Sequence, residues 1–242
     1  MLITSLDNKK IKEINKLKNK KYRDKENKFI IETKNIIKEA YKEGLLLELF
    51  IKENTNQELD IDIETNYVTE EVMNKIKQIP SSNMIGICKK ITPSKELGNK
   101  ILLLDEIQDP GNLGTIIRSS VGFNIDTIVL SNKCCDLYNE KVIRATEGNM
   151  FKINILREDL VKTIEQIKNK NIKVFGTDVT NGIDVRNISL DKYAIVMGSE
   201  GNGMSQEIRN LVDDNIYIKT NTKIESLNVG VAASIILYEL NK

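Results

Sequence analysis

Three short segments in the C-terminal half combine small, amide and charged side chains in a pattern that suits ligand binding. They cover residues 109–118, 197–203 and 225–230, and each begins where an apolar run ends. In an open α/β sheet, ligands bind at the carboxyl ends of the strands. We therefore expect one composite site, with residue types that suit a cofactor and an anionic partner and do not suit metal chemistry or acyl transfer.

Each segment also has a purely structural interpretation. Pro110-Gly111 predicts a turn before a helix that opens at Asn112, and the free amides of that helix could bind an anion. The glycines of residues 197–203 allow close approach of a ligand, but they lack the Gly-x-Gly-x-x-Gly spacing of a dinucleotide site. Ser226 or Asn228 is a suitable N-cap for the apolar helix that follows. Taken singly, these segments therefore leave function open.

The composition excludes several classes of site. Histidine is absent, and the three cysteines have neither metal nor redox spacing, so we expect no metal and no His-based catalysis. Reduced thiols, no signal peptide and no apolar run near 18 residues predict a soluble cytoplasmic protein without a membrane partner.

The chain is expected to form two α/β domains. Residues 1–90 alternate helical and strand patterns, and the Pro- and Gly-containing stretch 91–99 is the best linker. Residues 100–242 alternate short apolar strands (101–104, 127–130, 173–176 and 193–197) with helices (113–122, 160–170, 206–212 and 228–240). Strands of this kind, separated by helices, predict a parallel sheet covered on both faces.

A basic segment lies near the N-terminus. Residues 8–28 hold nine lysines and one arginine against three carboxylates, although the formal charge of the whole chain is only +1. Such a block is either a phosphate-binding surface or the solvated face of an amphipathic helix. The candidate RNA contacts within it are Lys9, Lys10, Lys20, Lys21 and Arg23.

The three segments in order, DPGNLGTIIR, GSEGNG and ESLNVGVAAS, resemble the signature motifs of SpoU-type (TrmH-like) RNA ribose 2′-O-methyltransferases of the SPOUT superfamily. The resemblance covers residues 101–242 and includes the RATEG run at 144–148 with Phe151. The N-terminal part resembles the smaller, L30e-like α/β domain that binds substrate in many members. There, Glu32-Thr33 replaces the usual Glu-Gly pair after the first strand.

The resemblance implies a deep C-terminal trefoil knot, a homodimer and S-adenosylmethionine as cofactor. Carried over by motif, the cofactor-binding residues are Thr177, Gly198, Ser199, Glu200, Gly201, Ile218, Ser226, Leu227 and Asn228. Lys219-Thr220 departs from the Pro-Met or Pro-Ile pair that usually follows the position of Ile218.

The same resemblance implies a catalytic set of Arg118, Asn112, Glu200, Ser226 and Asn228, with Arg118 supplied to a site shared with the partner subunit. An arginine does not act as a base at ordinary pH, so we expect Arg118 to clamp a phosphate and stabilise the developing alkoxide. Arg118 and Arg144 join the basic segment as RNA contacts, and with RNA as substrate the phosphate-binding interpretation of that segment is favoured.

The implied activity is methyl transfer from S-adenosylmethionine to a ribose 2′-hydroxyl of structured RNA, with 23S ribosomal RNA as the first candidate. Transfer RNA is the second candidate. A catalytically silent RNA-binding or ribosome-assembly factor with the same fold and a nucleotide-dependent dehydrogenase are the alternatives from other classes.

Overall fold

The structure, a computed structural model, describes residues 2–55, 59–221 and 223–242. The chain forms two compact units. The first contains Met1–Thr92 and Tyr138–Phe151, and the second contains Pro93–Leu137 and Lys152–Lys242. Residues 138–151 thus group with the first unit although they lie, in sequence, inside the predicted second domain. The boundaries 1–90, 91–99 and 100–242 stay a prediction.

The first unit is a mixed sheet with helices. Its strands are β1 (Leu2–Ile3), β2 (Lys28–Glu32), β3 (Leu46–Lys52), β4 (Thr65–Val68) and β5 (Met84–Lys89). Its helices are α1 (Lys9–Leu17), α2 (Lys20–Glu26), α3 (Lys34–Lys42), α4 (Glu70–Ile76) and α6 (Glu140–Thr146), the last contributed from further along the chain. The strand order is β1-β4-β3-β5-β2, and β5 is antiparallel to both of its neighbours.

The core of the first unit follows from the helical spacing read in the sequence. Ile11, Ile14 and Leu17 repeat every three residues, so they occupy one face of α1 and are buried. They pack with apolar residues of α4 and the sheet, among them Val72, Met73, Phe50, Ile85 and Ile87. The lysines of α1 consequently lie on its outer face.

The turn from β2 into α3 is strained. Thr33 has φ +92°, a left-handed conformation that a β-branched residue rarely adopts. Its hydroxyl is buried without a hydrogen-bond partner among the described residues. The preceding Glu32 is also buried, and its carboxylate accepts the backbone N–H groups of Gln78 and Ile79 at 2.6 and 3.0 Å. Burial raises the pKa of Glu32, although these hydrogen bonds oppose the shift.

The second unit contains a wholly parallel sheet, as the sequence predicts, but with seven strands where four were expected. Its strands are β6 (Lys100–Leu104), β7 (Thr127–Leu130), β8 (Asn154–Arg157), β9 (Lys173–Thr177), β10 (Ile183–Asp184), β11 (Tyr193–Met197) and β12 (Asp214–Tyr217). They are arranged in the order β10-β12-β9-β11-β6-β7-β8. Its helices are α5 (Pro110–Gly122), α7 (Leu160–Asn169), α8 (Gln206–Arg209) and α9 (Val229–Leu240). The α/β class and the C-terminal parallel sheet are therefore confirmed.

Burial on both faces explains the apolar strands of this sheet. Every residue of β7 and β11 is buried, and residues 101–104 of β6 have no solvent exposure. The side chains that point to one face pack against α7, where Leu160, Ile164 and Ile167 recur at helical spacing. This packing fixes the carboxyl ends of β6 and β11, which the first two motif segments follow, whereas the third segment, 225–230, follows β12.

Several local predictions need correction. Pro110-Gly111 is not a turn before the helix, because α5 already begins at Pro110 with Asp109 as its N-cap. Proline is favoured in the first helical turn, since the N–H that it lacks would have no helical partner there. Helix α8 ends at Arg209 and not at residue 212. Strands β8, β10 and β12 are additional to the four predicted strands, because they lack the longer continuous apolar runs that indicate the other four.

Candidate functional site

A cavity of about 420 Å³ lies at the carboxyl ends of β9, β11 and β12, and all of its walls belong to the second unit. We call it the main cavity. Its lining includes each residue predicted to bind the cofactor except Asn228, namely Thr177, Gly198, Ser199, Glu200, Gly201, Ile218, Ser226 and Leu227. Two of the three motif segments, 197–203 and 225–230, therefore meet in this cavity.

The glycine-rich loop of the main cavity folds tightly on itself. Ser199 and Gly203 exchange backbone hydrogen bonds of 3.0 and 2.9 Å, and Gly203 has φ +65°. A Cβ atom at Gly198 would lie 2.1 Å from the carbonyl carbon of Gly203, so only glycine fits there. By contrast, a Cβ at Gly201 would meet no atom within 4 Å, which leaves the tip of the loop open to the cavity.

The turn after β9 forms a second wall. The Thr177 hydroxyl donates to the carbonyl of Val196 at 3.0 Å, which joins the ends of β9 and β11. Asp178 accepts the backbone N–H groups of Thr180 and Asn181 at 3.0 Å each. Partial burial raises the pKa of Asp178, but these backbone hydrogen bonds outweigh it and hold the pKa below its usual value.

The remaining wall is largely apolar and carries one basic side chain. Ile218 and Leu227 are half-buried in it, beside Val229, Ala232 and Ile236 of α9. Arg209 of α8 also lines the cavity, and its Nε donates to the carbonyl of Met204 at 2.9 Å. The main cavity thus pairs an apolar side with a polar side made of Thr177, Asp178 and Arg209.

One hydrogen-bond network joins the three motif segments. The Asn112 side-chain amide donates to Glu200 Oε1, and the Asn228 amide donates to Glu200 Oε1 and to Asn112 Oδ1, both at 2.9 Å. The oxygen of Asn228 accepts the N–H groups of Gly230 and Val231 at 3.0 and 3.2 Å, which makes Asn228 the N-cap of α9. The predicted capping role and the predicted site role therefore belong to one residue.

A second cavity of about 210 Å³ lies beside the main cavity, and we call it the side cavity. The two share Ser199, Glu200, Gly201, Asn202 and Val229 as lining residues. The opposite wall of the side cavity comes from residues 106–109 and Asn112, in the segment that leads from β6 into α5. Glu200 and its amide partners consequently lie at the boundary between the two cavities.

The loop after β7 supports the wall of the side cavity. Ser131 Oγ accepts the backbone N–H of Glu106 at 3.0 Å, and the N–H of Cys135 donates to the carbonyl of Ile107 at 2.9 Å. Arg157 of β8 holds this loop in place. Its guanidinium donates to three backbone carbonyls, at Ser131 (2.7 Å), Cys134 (3.0 Å) and Cys135 (2.6 Å).

Arg118 lies apart from the network. It is exposed on α5, lines neither cavity, and makes no hydrogen bond or ion pair with any residue that the structure describes. Six residues advance about 9 Å along a helix and 240° around its axis, so Arg118 and Asn112 lie on different faces of α5. The structure therefore brings together Asn112, Glu200, Ser226 and Asn228 and leaves Arg118 outside.

The basic candidates of the first unit differ in their environments. Lys9, Lys20, Lys21 and Arg144 are exposed, whereas the Lys10 ammonium is paired with Glu48 at 2.6 Å and Glu64 at 2.5 Å. Arg23 does not have the environment of a phosphate contact. It is buried, and its guanidinium donates to the carbonyls of Leu17 and Lys18 at the end of α1, which gives it a structural role.

Several lining residues of both cavities are not among the predicted site residues. Asp178 and Arg209 line the main cavity, and Glu106 and Gln108 line the side cavity. The run DVTNG after β9 is a recognisable turn signal and could have indicated Asp178. Arg209 has no such signal, since its place at the cavity depends on the hydrogen bond from its side chain to the Met204 carbonyl.

The described residues offer neither a metal site nor a membrane-spanning helix. Residues 2–55, 59–221 and 223–242 contain no group of three or more cysteine, aspartate or glutamate side chains that could hold a metal ion. Within the same residues, every helix is too short or too polar to cross a membrane.

The chain matches two family models. One is described as the SpoU rRNA Methylase family and matches residues 99–238, and the other is described as the MRM3-like substrate binding domain and matches residues 8–85. The chain is also 33% identical over 243 residues to a Bacillus subtilis (strain 168) protein named 23S rRNA (guanosine(2553)-2′-O)-methyltransferase RlmP, with 98% of each chain covered.

Solved structures share the fold over almost the whole chain. The S-adenosylmethionine-bound rRNA methyltransferase from Sinorhizobium meliloti is 27% identical, with a TM-score of 0.86 and coverage of 99% of this chain and 96% of that one. The SpoU methyltransferase AviRb from Streptomyces viridochromogenes has a TM-score of 0.86 at 20% identity, with 96% of each chain covered, and shows the fold alone.

Proposed function

Since the chain belongs to the SpoU rRNA methylase family, we propose that it transfers a methyl group from S-adenosylmethionine to a ribose 2′-hydroxyl of RNA. One structural observation supports this function independently of family membership. The network of Asn112, Glu200 and Asn228 joins all three motif segments at the boundary of two adjoining cavities. Such an arrangement suits a reaction between two separately bound molecules.

The main cavity fits the cofactor. Its volume of about 420 Å³ lies within the range of small-molecule sites, roughly 300–1,000 Å³. The apolar side with Ile218 and Leu227 suits an adenine ring, and the polar side suits ribose hydroxyls and the charged amino-acid group. Glycine at 201 leaves the backbone at the tip of the loop accessible to a ligand. When bound there, S-adenosylmethionine supplies an electrophilic methyl group on a sulfonium centre.

The residues at the boundary act mainly by positioning. Holding two reactants in a reactive geometry contributes up to roughly 7–11 kcal/mol in favourable cases. Asn112 and Asn228 fix the Glu200 carboxylate, which faces both cavities and could accept a hydrogen bond from a ribose hydroxyl. Ser226 lines the main cavity and would complete the set. The sequence contains no histidine to take the proton of that hydroxyl.

We assign Arg118 to the active site of a partner subunit in a homodimer. Its exposure and its position on a different face of α5 from Asn112 fit a residue that serves another copy of the chain. Helix α9 supports the dimer, because Val231 and Tyr238 are 47% and 57% exposed on it. In the partner's site, Arg118 would clamp a phosphate and stabilise the alkoxide that forms as the hydroxyl loses its proton.

The RNA substrate is proposed from the relative and from surface charge. The B. subtilis relative is named for guanosine 2553 of 23S ribosomal RNA, so we propose 23S ribosomal RNA and guanosine for this chain, with transfer RNA second. In the first unit, Lys9, Lys20 and Lys21 are exposed and available to phosphates. We place the enzyme in the cytoplasm with its RNA.

We also propose the family's topology and division of labour for this chain. Residues 1–90 would bind RNA, and residues 100–242 would form the knotted catalytic domain. Residues 91–99 would link these two domains. Support for the knot comes from the convergence of residues 198–203, Ile218 and residues 225–227 on one cavity that α9 also lines. Small-angle scattering and electrophoresis under denaturing and native conditions would test dimer and knot separately from catalysis.

Methyl transfer from radiolabelled S-adenosylmethionine to unmodified ribosomal RNA tests the function. Label that survives alkali in a dinucleotide identifies ribose 2′-O-methylation. Arg118→Ala should abolish transfer and leave cofactor binding by calorimetry intact, and Lys162→Ala on exposed α7 is the matched charge control. Cofactor binding without transfer to any ribosomal or transfer RNA would instead favour the silent RNA-binding factor.

A further inference from the structure

We propose that Glu106 reads the base of the methylated nucleotide and selects guanine. The inference rests on the proposed function and concerns the side cavity, which shares the Ser199–Asn202 wall with the main cavity. In the proposed arrangement, the ribose of the nucleotide lies against Glu200 in that wall and its base occupies the side cavity. Glu106 lines the cavity on the side formed by residues 106–109.

Of the three carboxylates that line the side cavity, Glu106 is the one held neither by the amide network nor as the N-cap of α5. The Asp109 carboxylate caps α5 by accepting the N–H of Asn112 at 2.8 Å. The Glu200 carboxylate accepts the amides of Asn112 and Asn228. Among the described residues, Glu106 is paired with the ammonium of Lys133. The Lys133 side chain is 71% exposed and the Glu106 side chain 25%, and a pair with one partner largely in solvent is weak and easily rearranged.

The position of Glu106 is nevertheless well fixed. Its backbone has φ +60° and its N–H donates to Ser131 Oγ, in the loop that Arg157 fixes through three carbonyls. A fixed backbone limits the positions that the carboxylate can reach, which favours selective recognition.

The chemistry of a carboxylate beside an ammonium matches guanine. Guanine alone among the four bases presents two adjacent donors, N1–H and the N2 amino group, on its Watson–Crick edge, with the acceptor O6 next to them. The two oxygens of Glu106 can accept both donors, and Lys133 can donate to O6. Adenine and cytosine each offer one amino donor beside an acceptor, and uracil offers one N–H between two acceptors.

A single functional group on the substrate tests this assignment. A synthetic ribosomal RNA hairpin that contains the methylated position is made with guanosine or with inosine, which differs only by lacking the N2 amino group. A hydrogen bond from that group to a charged oxygen predicts a guanosine-to-inosine preference of roughly 10- to 150-fold in kcat/KM for the wild-type full chain. Glu106→Ala should reduce the preference to near one.

Two further variants complete the experiment. Glu106→Gln keeps the size of the side chain and should retain a small preference, because its amide oxygen still accepts one hydrogen bond. Glu165→Ala removes an exposed carboxylate from α7 and should leave the preference at the wild-type value. Calorimetric binding of S-adenosylmethionine, unchanged in all variants, would show that the main cavity is intact.

The possible failures are distinguishable. If the variants methylate RNA but Glu106→Ala keeps the wild-type preference, guanine recognition by Glu106 is refuted and the proposed function stands. If the wild-type chain methylates neither guanosine nor inosine RNA while binding the cofactor, the proposed function fails and this inference fails with it.

Discussion

Replacing Thr33 should stabilise the first unit, in two separable steps. Thr33→Ala removes a buried hydroxyl that has no partner among the described residues, and such a group costs about 1–3 kcal/mol. The lost methyl group offsets about 0.8 kcal/mol of that gain. Thr33→Gly also relieves the positive φ of 92°, a strain of about 1–2 kcal/mol, part of which the flexibility of glycine in the unfolded chain cancels.

We therefore expect the free energy of unfolding of the first unit to rise in the order Thr, Ala, Gly. The step from Ala to Gly should be about 1 kcal/mol, and the whole change about 1–3 kcal/mol. Because the chain has two units, a global melting curve need not report one transition. Native-state hydrogen exchange of the β2 and β5 amides is the suitable assay, since these strands pair along five residues.

A gain of 1 kcal/mol slows the slowest exchange of these amides about fivefold. The amides of β6 and β11 in the second unit serve as an internal control and should exchange at unchanged rates. Equal exchange in the Ala and Gly variants would refute the argument from backbone strain. Exchange in Thr33→Ala no slower than in wild type would refute the argument from the unpaired hydroxyl.

Substitutions at three places test the site and the RNA surface. Asn228→Asp keeps the cap of α9, but it loses both hydrogen bonds that the amide donates and places a like charge beside Glu200, so the rate of methyl transfer should fall at least tenfold. Asn228→Ser also keeps a cap and avoids the repulsion, so its rate should fall less. The pKa of Asp178 is lowered in the folded chain, so its charge contributes stability above pH about 4, and this stability is lost as the pH falls through the folded pKa. In urea denaturation, the free energy of unfolding should be larger for wild type than for Asp178→Asn near pH 6, and the difference should vanish toward pH 3. Lys20→Ala with Lys21→Ala should weaken RNA binding and reduce the salt dependence of the affinity by up to about two in slope, as filter binding at several salt concentrations would reveal.

Motif residues that follow apolar strands were predictable because strand ends are fixed by burial. The apolar runs at β6 and β11 locate Asn112 and Glu200 at one edge of the sheet, and the apolar pattern of α9 locates Asn228 at its start. The polar strands β8 and β12 lack that signal. Their place in the sheet comes from pairing with β7 and β9, which no local pattern records.

Side chains brought to the site by irregular segments could not be predicted. Glu106 lines the side cavity because its left-handed backbone turns the chain after β6, and φ values are not readable from a glutamate in a sequence. Arg23 shows the opposite error, since charge alone predicted a phosphate contact and the end of α1 buries it. Local sequence patterns predict burial and helix ends well, but they do not predict which partner a charged side chain contacts.

The three carbonyl contacts of Arg157 bear on how such an enzyme could change during evolution. Arg157 touches neither cavity, yet it holds the 131–135 loop that in turn supports Glu106 and Ile107. A lysine at this position has no planar fork with which to serve three acceptors. Mutations at the edge of the sheet could therefore alter the choice of nucleotide while every motif residue stays the same. Lineages with identical signature motifs could in this way diverge in their RNA targets.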